Sequence, residues 1–402
     1  EHSFPTRRSS DLLLLSFIPC LQAQKKELGQ ARSYIKSGKD YDKAEKLMTD
    51  LLQKDSTCHT NEKVYLMWFT SVLKQYEAAN EKLYLKQKYD TAAFFGLTHR
   101  LYAIAESLDS IDVAEHGGKK PRLKYREGHA RLLNQLRPNL YFGGTYHVGK
   151  GNYKEAIRFF ETYLEADNQP LFQGYNYSSK DSRMPQAAYW AVYSAYKLND
   201  ADKVLRYAPM AMADTAKTAY TLLHVAEAYE WQRNDSAYLA TLDEGFVRFP
   251  EHPYFFPHLE DYYTGNGNFE MALKYAERAL EVNPQNTIFQ LAKATSLLNL
   301  ERYDESVRIS ERLIADCDTM PEPYYTIGSA YLNQALTMET GVKARDNKTK
   351  IREFYIKARP YMEAYRKLAP NEKKKWAPAL YRIYLNLNMG KQFEEIDHLM
   401  HD

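Results

Sequence analysis

Cysteine is scarce, with three copies in 402 residues. No Cys-x-x-Cys pair occurs, which leaves both a thiol redox motif and a zinc knuckle unsupported. Cys58 and Cys317 stand far apart in the chain, and a disulfide needs Cα atoms within about 7 Å, so both are expected as free thiols. Charge of one sign is also missing: 54 Lys and Arg face 52 Asp and Glu, for a net +2. A generic nucleic-acid binder needs a basic stripe, so no nucleic-acid partner is expected. Long apolar runs are absent too. The clearest, Leu12 to Cys20, falls well short of the roughly 20 residues a membrane-spanning helix needs. Neither an HExxH helix nor a GxSxG elbow appears, and no ordered Cys/His spacing suggests a metal.

What the chain has in quantity is tyrosine, at 34 copies, within a hydrophobic content of 44%. Flat rings with a polar tip suit both helix packing and an adhesive surface. Residues 1–11 read as a non-native start. The apolar run that follows ends in Leu21, Gln22 and Ala23, the pattern of a secretory signal cut after Ala23. Export to the periplasm or outside the cell is the expectation. Pro19 stands where a lipoprotein signal beside Cys20 wants a small flexible residue, so lipidation is not expected.

Frames of one grammar open at Pro185, Ala219, Pro253, Thr287 and Pro321, each 34 residues after the last. A period of that length means two helices per unit, stacked into a solenoid. In the clearest frame, Leu259 and Tyr263 share a helix face. The run from Gly265 to Asn268 then breaks the helix. Phe269, Ala272, Ala276, Ala279 and Leu280 form one apolar stripe on a second helix, which Pro284 closes. A copy from Arg137 lies 14 residues out of phase, with Asn152 and Glu155 as a capping box. Another runs from Lys25 to Cys58. The stretch from Asn61 to Ser110 reads as long helices, and Asp112 to Gly128 reads as a loop. The second helix of the Pro321 frame is expected only from Ala358 to Pro370, with the charged stretch Gly341 to Lys350 as a surface loop between extended helices. The domains drawn from this are a leader (1–23), irregular helical repeats (24–136), a repeat array (137–370, with an insertion near 335–357) and capping helices (371–402).

The grammar resembles the tetratricopeptide repeat family, of an exported bacterial type. Gly151-Asn152-Tyr153 with Ala156, and Gly267-Asn268-Phe269 with Ala272 and Pro284, carry the family's turn, small residue and closing proline. The resemblance runs from Lys25 to Pro370. Glu260 and Tyr238 depart from it, standing where small residues are expected. It implies an all-α, right-handed superhelical solenoid of antiparallel helix pairs. It also implies a concave face lined by the first helix of each pair, open to extended peptides or partner helices. Mapped here, that groove takes Tyr189, Tyr193, Tyr196, Tyr220, Glu227, Trp231, Asp261 and Tyr325. Packing of the same rings between helices is the competing reading. The family's carboxylate clamp wants Lys and Asn where Tyr189 and Tyr193 stand, so that activity is not implied.

The remaining motifs read as structure. Gly144 to Gly151 nearly spells a phosphate loop, but Gly151 replaces the required Ser or Thr and no strand precedes it. Asn199, Asp200 and Asp202 read as a turn with a helix cap rather than a calcium loop. His99, His116, His129 and His147 read as surface or loop histidines. The basic run Lys343, Arg345, Lys348, Lys350 and Arg352 reads as a solvated insert. The expected protein is a monomeric scaffold without catalysis or cofactor, binding a protein or peptide; a glycan-binding scaffold is the alternative.

Overall fold

The computed structural model describes residues 10–114, 123–341 and 346–401, with the backbone alone for 10–23. Among the described residues every regular element is helical, and no strand occurs. The chain divides into two compact units between Arg233 and Asn234, inside the frame that opens at Ala219.

The first unit opens with α1 (Ser10–Ser37), which runs unbroken through Ala23, and α2 (Tyr41–Lys54). Two long helices follow, α3 (Glu62–Tyr84) and α4 (Thr91–Val113), then α5 (Arg126–Leu136). The pair α6 (Pro138–Gly149) and α7 (Tyr153–Glu165) is next. Two 3₁₀ turns and the short α8 (Tyr177–Lys180) lead to α9 (Met184–Lys197), α10 (Ala201–Ala211) and α11 (Thr218–Trp231). Helix α9 packs on α7, α10 and α11, the nearest-neighbour order of a stacked repeat.

The second unit holds α12 (Asp235–Arg248), α13 (Phe255–Gly265), α14 (Phe269–Val282), α15 (Thr287–Asn299) and α16 (Tyr303–Asp316). It continues with α17 (Pro321–Thr340), α18 (Lys348–Leu368), α19 (Lys373–Asn386) and α20 (Gly390–His401). Each helix packs on the next, and α15 and α17 also meet. The stripe expected on α14 is the buried one: Ala272, Ala276 and Ala279 are fully enclosed.

Close approach is achieved by omitting a side chain. A Cβ at Gly144 of α6 would stand 2.6 Å from the Phe160 ring of α7, and one at Gly328 of α17 would stand 2.8 Å from Met362 of α18. On α12 the close approach is at Gly245, where a Cβ would reach 2.2 Å from Phe255 of α13, and Tyr238, the departure on that helix, is 7% exposed. Glu260 is half-buried, and burial raises its carboxyl pKa.

Turns repeat as strictly as contacts. Asn199, Arg233, Gly267 and Glu301 follow one another at 34-residue intervals and all have positive φ, at 54°, 55°, 69° and 59°. Gly151 and Asn388 occupy the same kind of turn. Most close in one way: Asn268 N donates to Tyr263 O and Gly267 N to Thr264 O, as Arg302 N does to Leu297 O and Glu301 N to Leu298 O, while at Arg233 only the bond from Arg233 N to Glu230 O is present. This left-handed closure satisfies helix-end carbonyls. Asparagines then cap the following helices, with Asn268 accepting from Met271 N and Asn152 from Glu155 N.

Three expectations are corrected. The helices around the charged stretch after Pro321 are extended as expected, α17 reaching Thr340, but α18 begins at Lys348 rather than Ala358. Ile351 and Tyr355 face inward while Lys348, Lys350 and Arg352 face water, so the charged run is one side of an amphipathic helix. Lys343 and Arg345 lie outside the described residues. The loop expected from Asp112 to Gly128 is helical at both ends, and its residues 115–122 lie outside the described residues, His116 among them. His99, His129 and His147 are packing residues on helices. Their rings lie 5.3 Å from Phe159, 4.3 Å from Phe69 and 5.4 Å from Phe159, respectively. Cys58 is buried and Cys317 exposed, and both are thiols.

A Cβ at position 267 would meet no atom, so a side chain there is penalised by backbone conformation alone. Gly267→Val is expected to cost about 1–2 kcal/mol. Glu301→Gly is expected to gain a few tenths to about 1 kcal/mol, because glycine adopts positive φ without steric cost. Thermal melts should therefore rank Glu301→Gly above the parent and Gly267→Val below it. An unchanged curve for Gly267→Val would contradict this account of the turn.

Candidate functional site

Helices α9 and α11 carry an aromatic strip on the first unit. Tyr193 of α9 lies 5.9 Å from Tyr153, at the start of α7, and 5.9 Å from His224 of α11. His224 stacks on Tyr196 at 4.2 Å, and Tyr196 stacks on Trp231 at 5.6 Å with planes 18° apart. Trp190 meets Tyr193 edge-on at 5.8 Å. Apart from His224, every ring in this run is partly exposed. It forms a continuous π surface of the kind that anchors interfaces.

Charges border the strip. The Lys197 ammonium lies 5.3 Å from the Tyr193 ring and 5.2 Å from Tyr196, within cation–π range. Burial, the nearby Glu227 carboxylate and a hydrogen bond to it raise the Tyr196 pKa. The hydroxyl therefore stays protonated and donates to Glu227.

His224 is the unusual member. It is only 5% exposed, and neither ring nitrogen has a hydrogen-bond partner among the described residues. Burial, aided by Lys197, lowers its pKa to about 4, so it sits in the strip as a neutral ring. Buried polar groups without partners are uncommon and costly.

The expected groove residues separate. Tyr193, Tyr196, Glu227 and Trp231 come together in this strip. Tyr220 is on the same helix, 48% exposed, with the Lys217 ammonium 5.5 Å from its ring. Tyr189 is 7% exposed and belongs to the core. It is buried because α9 is packed on several sides at once, with Ala187, Ala188, Ala191 and Val192 also enclosed. Asp261 on α13 is exposed, and Tyr325 on α17 is half-buried with its ring 5.0 Å from Tyr365. Both lie in the second unit. Sequence reasoning missed His224, although Tyr220, His224, Glu227 and Trp231 recur at helical spacing on one face.

Among the described residues, no cluster of three His, Cys, Asp or Glu side chains is placed to hold a metal. No described helix is long and apolar enough to cross a membrane. Asp200 caps α10 by accepting from Lys203 N at 3.1 Å. Gly144 to Gly151 is the end of α6 and its turn.

These features define a protein built from antiparallel helix-pair repeats. Residues 261–319 match the family model of the tetratricopeptide repeat, and the chain carries tetratricopeptide repeats there. A search of curated proteins finds no match. Among solved structures, the chain is similar to the C-terminal part of a TPR repeat-containing protein from Cytophaga hutchinsonii. The identity is 14%, the match covers 64% of this chain and 92% of that one, and the TM-score is 0.43. A tetratricopeptide repeat protein from Parabacteroides merdae matches at 17% identity over 67% of this chain and 100% of its own, with a TM-score of 0.36. A TPR repeats protein from Bacteroides fragilis matches at 17% identity over 65% and 98%, with a TM-score of 0.32.

The folded His224 pKa of about 4 lies below the ordinary 6.5. Below pH 6.5 the unfolded chain binds a proton that the folded one refuses, so stability falls as pH drops from 6.5 towards 4. At pH 5 the loss from this residue is about 2 kcal/mol. Chemical denaturation at pH 7 and pH 5 should show a smaller difference for His224→Phe than for the parent. An equal difference would contradict the buried neutral ring.

Proposed function

We propose that the chain is a non-catalytic scaffold that captures a protein or peptide through the aromatic strip of its first unit. The observation that carries this reading is the partly exposed run of Tyr193, Tyr196 and Trp231, stacked around a histidine whose ring nitrogens have no hydrogen-bond partner among the described residues. Rigid aromatic side chains lose little entropy on binding and dominate interface energetics. Glu227 and Lys197 bring one charge of each sign to the border, which suits an extended backbone with mixed polar groups. Among the described residues the strip holds no nucleophile with its base, and binding needs none.

A photo-crosslinking residue in place of Tyr220, at the edge of the strip, is expected to yield one discrete adduct in the native compartment. Once its partner is purified, Tyr193→Ala combined with Trp231→Ala should weaken binding at least about tenfold with unchanged helical circular dichroism. Normal binding by the double variant would place recognition elsewhere. Saturable binding on a glycan array, abolished by Tyr193→Ala, would favour a sugar ligand over a peptide.

Export is part of the same proposal. The apolar run before Ala23 supports it; the next residue, Gln24, is 7% exposed and bonded to Asp55 and Thr57 at 2.7 and 3.0 Å. A cut after Ala23 would leave that anchored residue as the mature terminus. N-terminal sequencing of the native protein is expected to start at Gln24, and a start upstream of Leu12 would contradict export by this signal.

A further inference from the structure

The 14 residues that put the Arg137 frame out of phase build something. They fall between α7 and α9, in the segment of 3₁₀ turns and α8 that no other described pair carries. In repeat proteins such insertions map to loops, often on the binding face. Here the insertion folds back over Arg137 at the start of α6.

Arg137 is 5% exposed. Its guanidinium lies 3.7 Å from the Tyr163 ring centroid and 3.8 Å from that of Tyr177. It donates to the carboxylate of Asp181 and to the Tyr163 carbonyl. Tyr163 donates its hydroxyl to the same carboxylate. Burial works against the Asp181 charge, but these donors prevail and hold its pKa below the ordinary value. The Arg137–Asp181 pair is thus electrically neutral and lines a cleft, although the buried Arg137 Nε has no hydrogen-bond partner among the described residues.

The cleft over Arg137 has a volume of ≈ 360 Å³ and an aromatic wall of Tyr163, Tyr175 and Tyr177. Tyr175 is half-buried and stacks on Tyr177 at 5.5 Å with planes 28° apart. Left-handed residues flank it, Gly174 with φ of 96° and Asn176 with φ of 53°, and they turn the chain so that the Tyr175 ring lies on Tyr177. Lys180 and Arg183 stand exposed at the rim, and neither has a carboxylate within ion-pair distance among the described residues. With the Arg137–Asp181 pair neutral, these two cations leave the cleft net positive.

We propose that this cleft binds a small ring compound bearing a carboxylate. The ring lies against Tyr175, and the carboxylate meets Lys180 and Arg183. Charge-assisted bonds of that type are the strong ones, and the volume lies within the range of small-molecule sites. The site is separate from the strip on α9 and α11, and either can fail without the other.

The test is calorimetric titration of the full chain with two carboxylates, 4-hydroxybenzoate and D-glucuronate. Their neutral counterparts, 4-hydroxybenzyl alcohol and methyl α-D-glucoside, serve as controls. At least one carboxylate is expected to bind saturably and at least about tenfold more tightly than its neutral counterpart; which one binds tells an aromatic source from a sugar source. Lys180→Ala with Arg183→Ala, and separately Tyr175→Ala, should each weaken that binding about tenfold. These side chains are exposed or half-buried, so melting temperature should hold, whereas Arg137 variants would risk the fold. Absence of binding by both carboxylates, equal binding of the neutral compounds, or parental affinity in both variants would overturn the proposal.

Discussion

The structure depends on how closely two helices of a pair can approach. Where α6 meets α7 and α17 meets α18, one partner gives up its side chain so that a large group of the other can fill the space, as Gly144 does for Phe160 and Gly328 for Met362. Interiors are packed to crystal-like density, so a methyl group at either glycine has nowhere to go without displacing its neighbour. Once approach is fixed, so is the turn, because the chain must reverse within a few residues. The left-handed residue at each reversal is the outcome, and it is tolerated even as Asn199, Arg233 or Glu301.

Within that frame tyrosine is divided between two tasks. Tyr102 and Tyr355 are fully buried, and each hydroxyl finds a partner: Leu133 O at 2.8 Å for Tyr102, and Glu339 at 2.8 Å for Tyr355. Such rings bury large apolar areas while keeping their polar tip satisfied. Tyr163 and Tyr177 instead hold a buried guanidinium in place. Tyr193, Tyr196 and Tyr220 keep part of their surface in water, on the helices that end the first unit. The fold needs the first two groups, and the third is available for recognition.

The repeat was legible because its signals are local. A left-handed turn recurs at one spacing, and it can be read without knowing what packs on it. The second helix of the Pro321 frame was less legible. Its added turns are charged, and the inward side is marked only by Ile351 and Tyr355. Tyr189 was misplaced because periodicity identifies a face but cannot say how many neighbours share it, and α9 is enclosed on several sides. His224 sat on a readable face but carries no distinctive spacing of its own. The cleft over Arg137 was the least legible, since Arg137, Tyr163, Tyr177 and Asp181 are joined only by the fold.

Hydroxyl-radical footprinting, read residue by residue on the intact chain, tests most directly whether tyrosines are divided between packing and an open strip. The account predicts strong labelling of Tyr193, Tyr196, Tyr220 and Trp231, with Tyr102, Tyr163 and Tyr355, all 2% exposed or less, protected. Equal labelling of the two groups, or protection of the strip in the free protein, would contradict it.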